Sequence, residues 1–319
     1  MLTLADLEAA QHRTAGYVRR TPLVPADPAR GADVWFKAEY MQRCGVFKTR
    51  GAFNRQLRAQ ELGELDPEVG IVAASGGNAG LANAYAASVL GVPATVFVPE
   101  NAPAVKVNLL RGYGATVVQQ GTEYAEAYEA AQQHVADSGA LFCHAYDQQE
   151  IVAGAGVIGL EIIEDLPDVD TIIVAVGGGG LYAGIAAAAR AHGVSVVAVE
   201  PRTIPTLRSA LEAGRPVDIA VSGIAQDSLG ARRIGAQGWE AAEATAPVSV
   251  LVEDEDIAHA RRALWQEYRI PAEMGAAAAY AALASGAYAP DAGERVAVIL
   301  CGANTDPATL DRLPATVLR

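Results

Sequence analysis

Lys48 sits in VFKTRGAFNRQL (residues 46–57), directly after the apolar pair Val46–Phe47 and ahead of an amphipathic stretch. A lone lysine in a first helical turn is ordinarily a solvated charge. A lysine that condenses with a carbonyl must instead be desolvated enough to shed its proton. Phe47 beside it offers a surface to shield or stack on a cofactor ring. Two glycine-rich segments keep it company. AASGGNAGLANAYAA (73–87) reads as a tight turn from a strand into a helix, with Ser75 and Asn78 as hydrogen-bonding side chains. Small residues there admit a ligand close to the backbone, and the free N–H groups at the helix start attract an anion. An ordinary junction capped by Asn78 has the same look. In AVGGGGLYAGIAAAARAHG (175–193) four consecutive glycines, Gly177, Gly178, Gly179 and Gly180, exceed what a packing turn needs. Amides aimed along a helix dipole make a phosphate cup that requires no Lys or Arg. AVILCGANTDP (297–307) leaves Cys301 at the C-terminal end of a buried strand, where open α/β sheets take ligands. A free cysteine is equally at home as a small core residue.

A second chemistry fits part of this set. Gly178, Gly180 and Ala183 satisfy G-x-G-x-x-A, and Glu200 ends the next strand, about twenty residues on, as the ribose acid of a dinucleotide site does. A nicotinamide-dependent oxidoreductase is therefore the rival reading. It leaves Lys48, Cys301 and the 73–87 loop without a use.

Elements able to position these residues follow from the hydropathy pattern. Strands are predicted at 70–75, 94–99, 140–145, 171–176, 194–200 and 295–301. Helices are predicted at 80–91, 104–114, 123–139 and 181–193, with an amphipathic helix near the N-terminus. Such alternation implies parallel sheets covered by helices on both faces. The stretch 147–156 reads as a return between α/β units and 288–294 as a surface turn. The expected organisation is a large domain of residues 1–67 and 148–319 with a small α/β domain, 68–147, inserted in it.

Composition narrows the classes. Hydrophobic residues make up 51% and charged residues 19% of the 319, which suits a folded chain with a substantial core. A formal charge of −13 argues against a nucleic-acid binder. No apolar run is long enough to cross a bilayer, and residues 1–23 lack the basic-then-apolar layout of a leader. Three cysteines, Cys44, Cys143 and Cys301, without pairing or zinc spacing, suit a reducing cytoplasm.

Taken together, KAEYMQRCGVFKTRGA (37–52), SGGNAG (75–80), VGGGGL (176–181) and CGANTD (301–306) resemble, in order, the segments of the fold type II pyridoxal-phosphate enzymes. The likeness is to the serine/threonine dehydratase and serine racemase family in particular. DQQEIVAGAGVIGLEI (147–162) and AEMGAAAAYAAL (272–283) also look like segments of that family. The resemblance implies the tryptophan synthase β-like fold: two open, mostly parallel twisted sheets covered by helices, the small domain inserted in the large one. It implies pyridoxal 5′-phosphate held by Lys48, with Phe47, Asn78, Gly177 to Gly180, Leu181, Glu273 and Cys301 around it. The substrate carboxylate would lie against Ser75, Gly76, Asn78 and Ala79. The implied reaction is β-elimination of a 3-hydroxy amino acid such as L-threonine or L-serine to a 2-keto acid and ammonia. Racemisation, β-replacement and elimination from a bulkier 3-hydroxy amino acid are the alternatives within the same cofactor chemistry.

Departures from the family pattern bear on this. Racemases of the family carry a second serine where this chain has Gly76, so the base on the opposite face is missing. Glu200 matches the first acid of the family's cation site, but the second position is Thr206, which suits a monovalent ion on carbonyls better than a divalent one. Ser228 replaces a glycine and Ala79 a common histidine, pointing away from plain serine or threonine as substrate. A homo-oligomer, a dimer by the resemblance, is expected, with no regulatory domain after Arg319 and so no isoleucine-type feedback.

Overall fold

The computed structural model describes residues 1–311 and 313. Its strands are β1 (Leu23–Pro25), β2 (Asp33–Lys37), β3 (Ile71–Ala74), β4 (Ala94–Val98), β5 (Thr116–Gln119), β6 (Leu141–Phe142), β7 (Thr171–Ala175), β8 (Ser195–Pro201), β9 (Val248–Val252) and β10 (Arg295–Ile299). Six form one sheet in the order β1-β2-β10-β7-β8-β9, and four form a second in the order β5-β4-β3-β6. Every pairing is parallel except β1 with β2. β3 and β7 are buried at every residue, as strands covered on both faces must be. The α/β arrangement of two open, mostly parallel sheets is thus the one expected.

The six predicted strands all occur, with adjusted ends; 140–145 shrinks to Leu141–Phe142 and 295–301 stops at Ile299. The β1–β2 pair, β5 and β9 were not predicted. β5 and β9 are edge strands with partly exposed side chains, so they lack the unbroken apolar run that marks a central strand.

One helix sets the spacing of the site. The stretch read as a return opens, at Gln149, a helix of 17 residues, Gln149–Asp165. Its glycines and polar start weaken the local helix signal, while packing on both sides supplies the stabilisation. On one side a Cβ at Gly154 would lie 2.6 Å from the Arg50 carbonyl, so this helix meets the helix Lys48–Leu62 backbone to backbone. On the other, a Cβ at Gly184 would lie 2.5 Å from the Gly156 nitrogen, bringing in the helix Gly180–His192. Lys48 and the four-glycine turn are therefore mounted on either flank of one rod. The helix Lys48–Leu62 also joins the sheets: its Ala52, Phe53 and Leu57 are buried with Ala82 and Ala86 of the helix Asn78–Leu90, which follows β3.

Candidate active site

Lys48 opens its helix immediately after a segment laced to the chain beyond β10. Phe47 N–H donates to the Cys301 carbonyl at 3.0 Å, Ala303 N–H to Gly45 at 2.9 Å, and Glu273 N–H to Gly302 at 3.1 Å. These bonds bring Lys48, Cys301 and Glu273, far apart in sequence, to one spot. Lys48 Nζ donates to the Ala145 carbonyl at 3.0 Å and lies 5.1 Å from the Phe47 ring centroid. Among the described residues no carboxylate forms an ion pair with it. Burial drives its pKa down to about 8, against the pull of Cys301 and Glu273 in the other direction. The amine is thus ready to lose its proton near neutrality.

Gly177 to Gly180 link β7 to the helix Gly180–His192, with Gly179 at φ +88°, in the left-handed region. The Gly177 carbonyl accepts from Thr206 Oγ1 at 2.6 Å and the Gly178 carbonyl from Gly235 N–H at 2.9 Å. No side chain caps the helix, so its first-turn N–H groups stand open to an anion. Nor is there space for larger residues. A Cβ at Gly178 would lie 2.5 Å from the Tyr146 ring, and one at Gly180 2.3 Å from the Tyr146 carbonyl.

The turn after β3 lies opposite. Ser75 Oγ accepts from Gly77 N–H at 3.2 Å. Asn78 Nδ2 donates to both Glu273 carboxylate oxygens, at 2.9 and 3.0 Å, while Asn304 Nδ2 donates to Asn78 Oδ1 at 2.7 Å. The Asn78 amide is therefore fixed in orientation. Burial pushes the Glu273 carboxyl up to about 7, although the Asn78 hydrogen bond and the Lys48 charge oppose it. Burial pushes the Cys301 thiol well above its usual range, with the Glu273 charge adding to the effect, so it is a neutral group.

Phe47, Lys48, Ser75, Gly76, Asn78, Ala79, the four glycines, Leu181, Glu273 and Cys301 all line one cavity of about 610 Å³ between the sheets. Glu200 does not. It is buried at the end of β8, where its carboxylate accepts from Thr206 Oγ1 (3.0 Å), Leu207 N–H (2.6 Å) and Arg208 N–H (2.8 Å). Among the described residues no group of three or more His, Cys, Asp or Glu side chains is placed to hold a metal ion.

Several lining residues escaped the sequence reading. Tyr146 closes over the glycine turn, and Tyr124 and Lys106 form parts of the wall. Beside Tyr146, the Asp147 carboxylate accepts from Ala236 and Gln237 N–H, both at 2.9 Å, and so caps the helix Ala236–Thr245. The one available signal for Tyr146 was its place just past a strand's C-terminal end.

A phosphorylated aldehyde fits this cavity on physical grounds: a desolvated amine, an uncapped glycine-floored helix start, and a neutral thiol. The sequence profile of the pyridoxal-phosphate dependent enzymes matches residues 14–302. The chain is 34% identical over 318 residues to an L-threonine ammonia-lyase of Thermotoga maritima, covering 98% of this chain and 78% of that one. It is 35% identical over 318 residues to a phenylserine dehydratase of Ralstonia pickettii, covering 97% and 96%. Its fold superposes on serine racemase from Dictyostelium discoideum with a TM-score of 0.88 at 30% identity, covering 96% and 99%.

Proposed function

The chain belongs to the pyridoxal-phosphate dependent enzyme family, and from that premise we propose that it is an ammonia-lyase, eliminating the β-hydroxyl of a 3-hydroxy amino acid. When bound, pyridoxal phosphate supplies an electron sink for the charge left at Cα as its proton departs. The uncapped first turn after Gly177 to Gly180 would hold its phosphate, and Lys48 its aldehyde carbon. Ser75, Asn78 and the amides of Gly76 and Ala79 would hold the substrate carboxylate and so align the Cα–H bond. Lys48, a base of pKa about 8, would take the Cα proton. The β-hydroxyl leaves with a proton as water, and the enamine formed takes up water and releases ammonium. The net change is R–CHOH–CH(NH₃⁺)–COO⁻ to R–CH₂–CO–COO⁻ and NH₄⁺.

The observation that carries this reading is the pairing of Lys48 with a neutral, buried Cys301. With the cofactor bound, the Cys301 thiol would hydrogen-bond its ring nitrogen without enforcing a positive charge there. Such a partner would favour prompt loss of the hydroxyl. Gly76, which has no side chain to deliver a proton to the other face, points away from racemisation. The test is to incubate the cofactor-loaded protein with L-serine and L-threonine, then measure keto acid release and the chirality of the remaining amino acid. Keto acid with very little D isomer is expected, and Lys48→Ala should abolish it. Abundant D isomer without keto acid would make racemase the better reading.

A further inference from the structure

An unbroken aromatic series runs along the side of the cavity that belongs to the four-stranded sheet. Tyr124, first residue of the helix Tyr124–Ser138, approaches Tyr128 with 6.1 Å between ring centroids. Tyr128 meets Phe142 edge-on at 5.6 Å and His144 at 6.1 Å, and His144 meets Tyr146 at 4.8 Å. The middle members, Tyr128 and Phe142, pack against the core of that sheet. The two ends, Tyr124 and Tyr146, face the cavity. Tyr124 is 51% exposed, a large ring left uncovered at the cavity mouth.

Small residues line other parts of the cavity. Gly76, Ala79, Ser228, Gly230 and Ala231 line them, and a Cβ built at Gly76 would meet only the Val98 side chain, no closer than 3.4 Å. The cavity of about 610 Å³ is shared between this mouth and the Lys48 and four-glycine end that would hold the cofactor. Charge at the mouth gives weaker direction. Lys106 is paired with Asp227 at 3.2 Å and Arg233 with Asp218 at 2.8 Å, which leaves the solvent-exposed Arg232, apart from Lys48 within the site, as the remaining cation of the lining among the described residues.

We propose that Tyr124, the uncovered ring of this series, receives an aryl group, so that the substrates are 3-aryl-3-hydroxy-2-amino acids, an inference that rests on the elimination reading above. Aromatic rings gain from edge-to-face and offset partners beyond the burial of their area. The chemistry agrees with the geometry. As the Cα proton passes to Lys48 and the β-hydroxyl leaves as water, the double bond formed conjugates with the aryl ring. Uptake of water and release of ammonium then give the 3-aryl-2-oxo acid.

The test has two arms on the cofactor-loaded protein. In the first, keto acid release is measured from L-threo-3-phenylserine, L-threonine and 3-hydroxyaspartate. Phenylserine should have the highest kcat/KM, by about tenfold or more. Tyr124→Ala should lower the phenylserine-to-threonine ratio about tenfold, and Tyr124→Phe should keep it. In the second, L-phenylalanine and L-alanine, which lack a β-hydroxyl, are titrated at equilibrium. Phenylalanine should bind about tenfold tighter or more, and Tyr124→Ala should narrow that gap. Preference for threonine or 3-hydroxyaspartate, or a ratio indifferent to Tyr124→Ala, overturns the proposal. If no hydroxy amino acid yields keto acid while phenylalanine still binds tighter, the elimination reading falls and the aryl site stands. Equal binding of phenylalanine and alanine overturns the aryl site whatever the turnover.

Discussion

Lys48 and Glu273 titrate within about a unit of each other, at about 8 and about 7, because burial penalises both charges. Each favours the charged form of the other, so the two protonations are coupled. Uptake of pyridoxal phosphate by the cofactor-free protein needs the neutral amine, and its rate should rise with pH through about 8. Glu273→Gln removes a carboxylate that stabilises the ammonium, so the midpoint should move to lower pH. Stopped-flow absorbance across a pH series measures both; a midpoint near the ordinary lysine value of 10.5 would show an amine that is not desolvated. Lys48, Cys301 and the four glycines were legible in the sequence because their chemistry demands those residue types beside a strand end or helix start. Tyr124 and Tyr146 were not, since no fixed spacing ties them to those motifs. Only the fold of the four-stranded sheet carries both rings to the cavity.

Two residues beyond Lys48, Arg50 anchors the helix Lys48–Leu62 in a buried set of charges. Its guanidinium donates to both Glu39 oxygens, at 2.8 and 2.9 Å, and to both Glu161 oxygens at 2.8 Å. Lys37 Nζ donates to Glu161 at 2.6 Å. Two cations balance two anions, all at most 4% exposed, and the set binds β2 and the helix Gln149–Asp165 to the lysine's helix. Arg50→Met would strand Glu39 and Glu161 beside a single cation, at a cost of about 3–5 kcal/mol, read as a lowered urea midpoint. Burial alone would raise the Glu39 carboxyl, but the Arg50 charge and hydrogen bonds outweigh it and hold the folded value below 4.5. A carboxyl depressed on folding stabilises above its unfolded pKa, and that contribution is lost as pH falls through the folded value. The gap between native and Arg50→Met proteins should therefore shrink on going from about pH 7 toward about pH 4; a constant gap would mean that Arg50 acts by packing alone. None of this set was legible beforehand. Lys37, Glu39 and Glu161 read as ordinary surface charges in a linear sequence, and only the crossing of two helices at Gly51 and Gly154 buries them.

At the scale of the whole molecule, two kinds of contact join the sheets across the cavity besides the hydrogen bonds of Asn78 with Glu273 and Asn304. One is polar and at the mouth: Lys106, on the helix Ala104–Gly112 beside the four-stranded sheet, reaches Asp227 at 3.2 Å. With the Asp227 side chain 81% exposed, such a pair contributes at most about 1 kcal/mol. The other is apolar and beneath the site. Phe53, fully buried, meets Tyr85 of the helix Asn78–Leu90 edge-on at 5.9 Å and Tyr17 at 5.3 Å. Removing that ring forfeits its transfer energy and opens a cavity between helices, so Phe53→Ala should cost about 3–5 kcal/mol. Asp227→Asn should change stability by no more than about 0.5 kcal/mol. Urea unfolding followed by tryptophan fluorescence gives both values on one scale. The ordering bears on the proposed substrates, because a weak mouth pair over a firm apolar joint would let the cavity admit a bulky amino acid without loosening the lysine's helix. A larger loss from Asp227→Asn than from Phe53→Ala would reverse it, and would make the charged pair at the mouth the contact that holds the two sheets together.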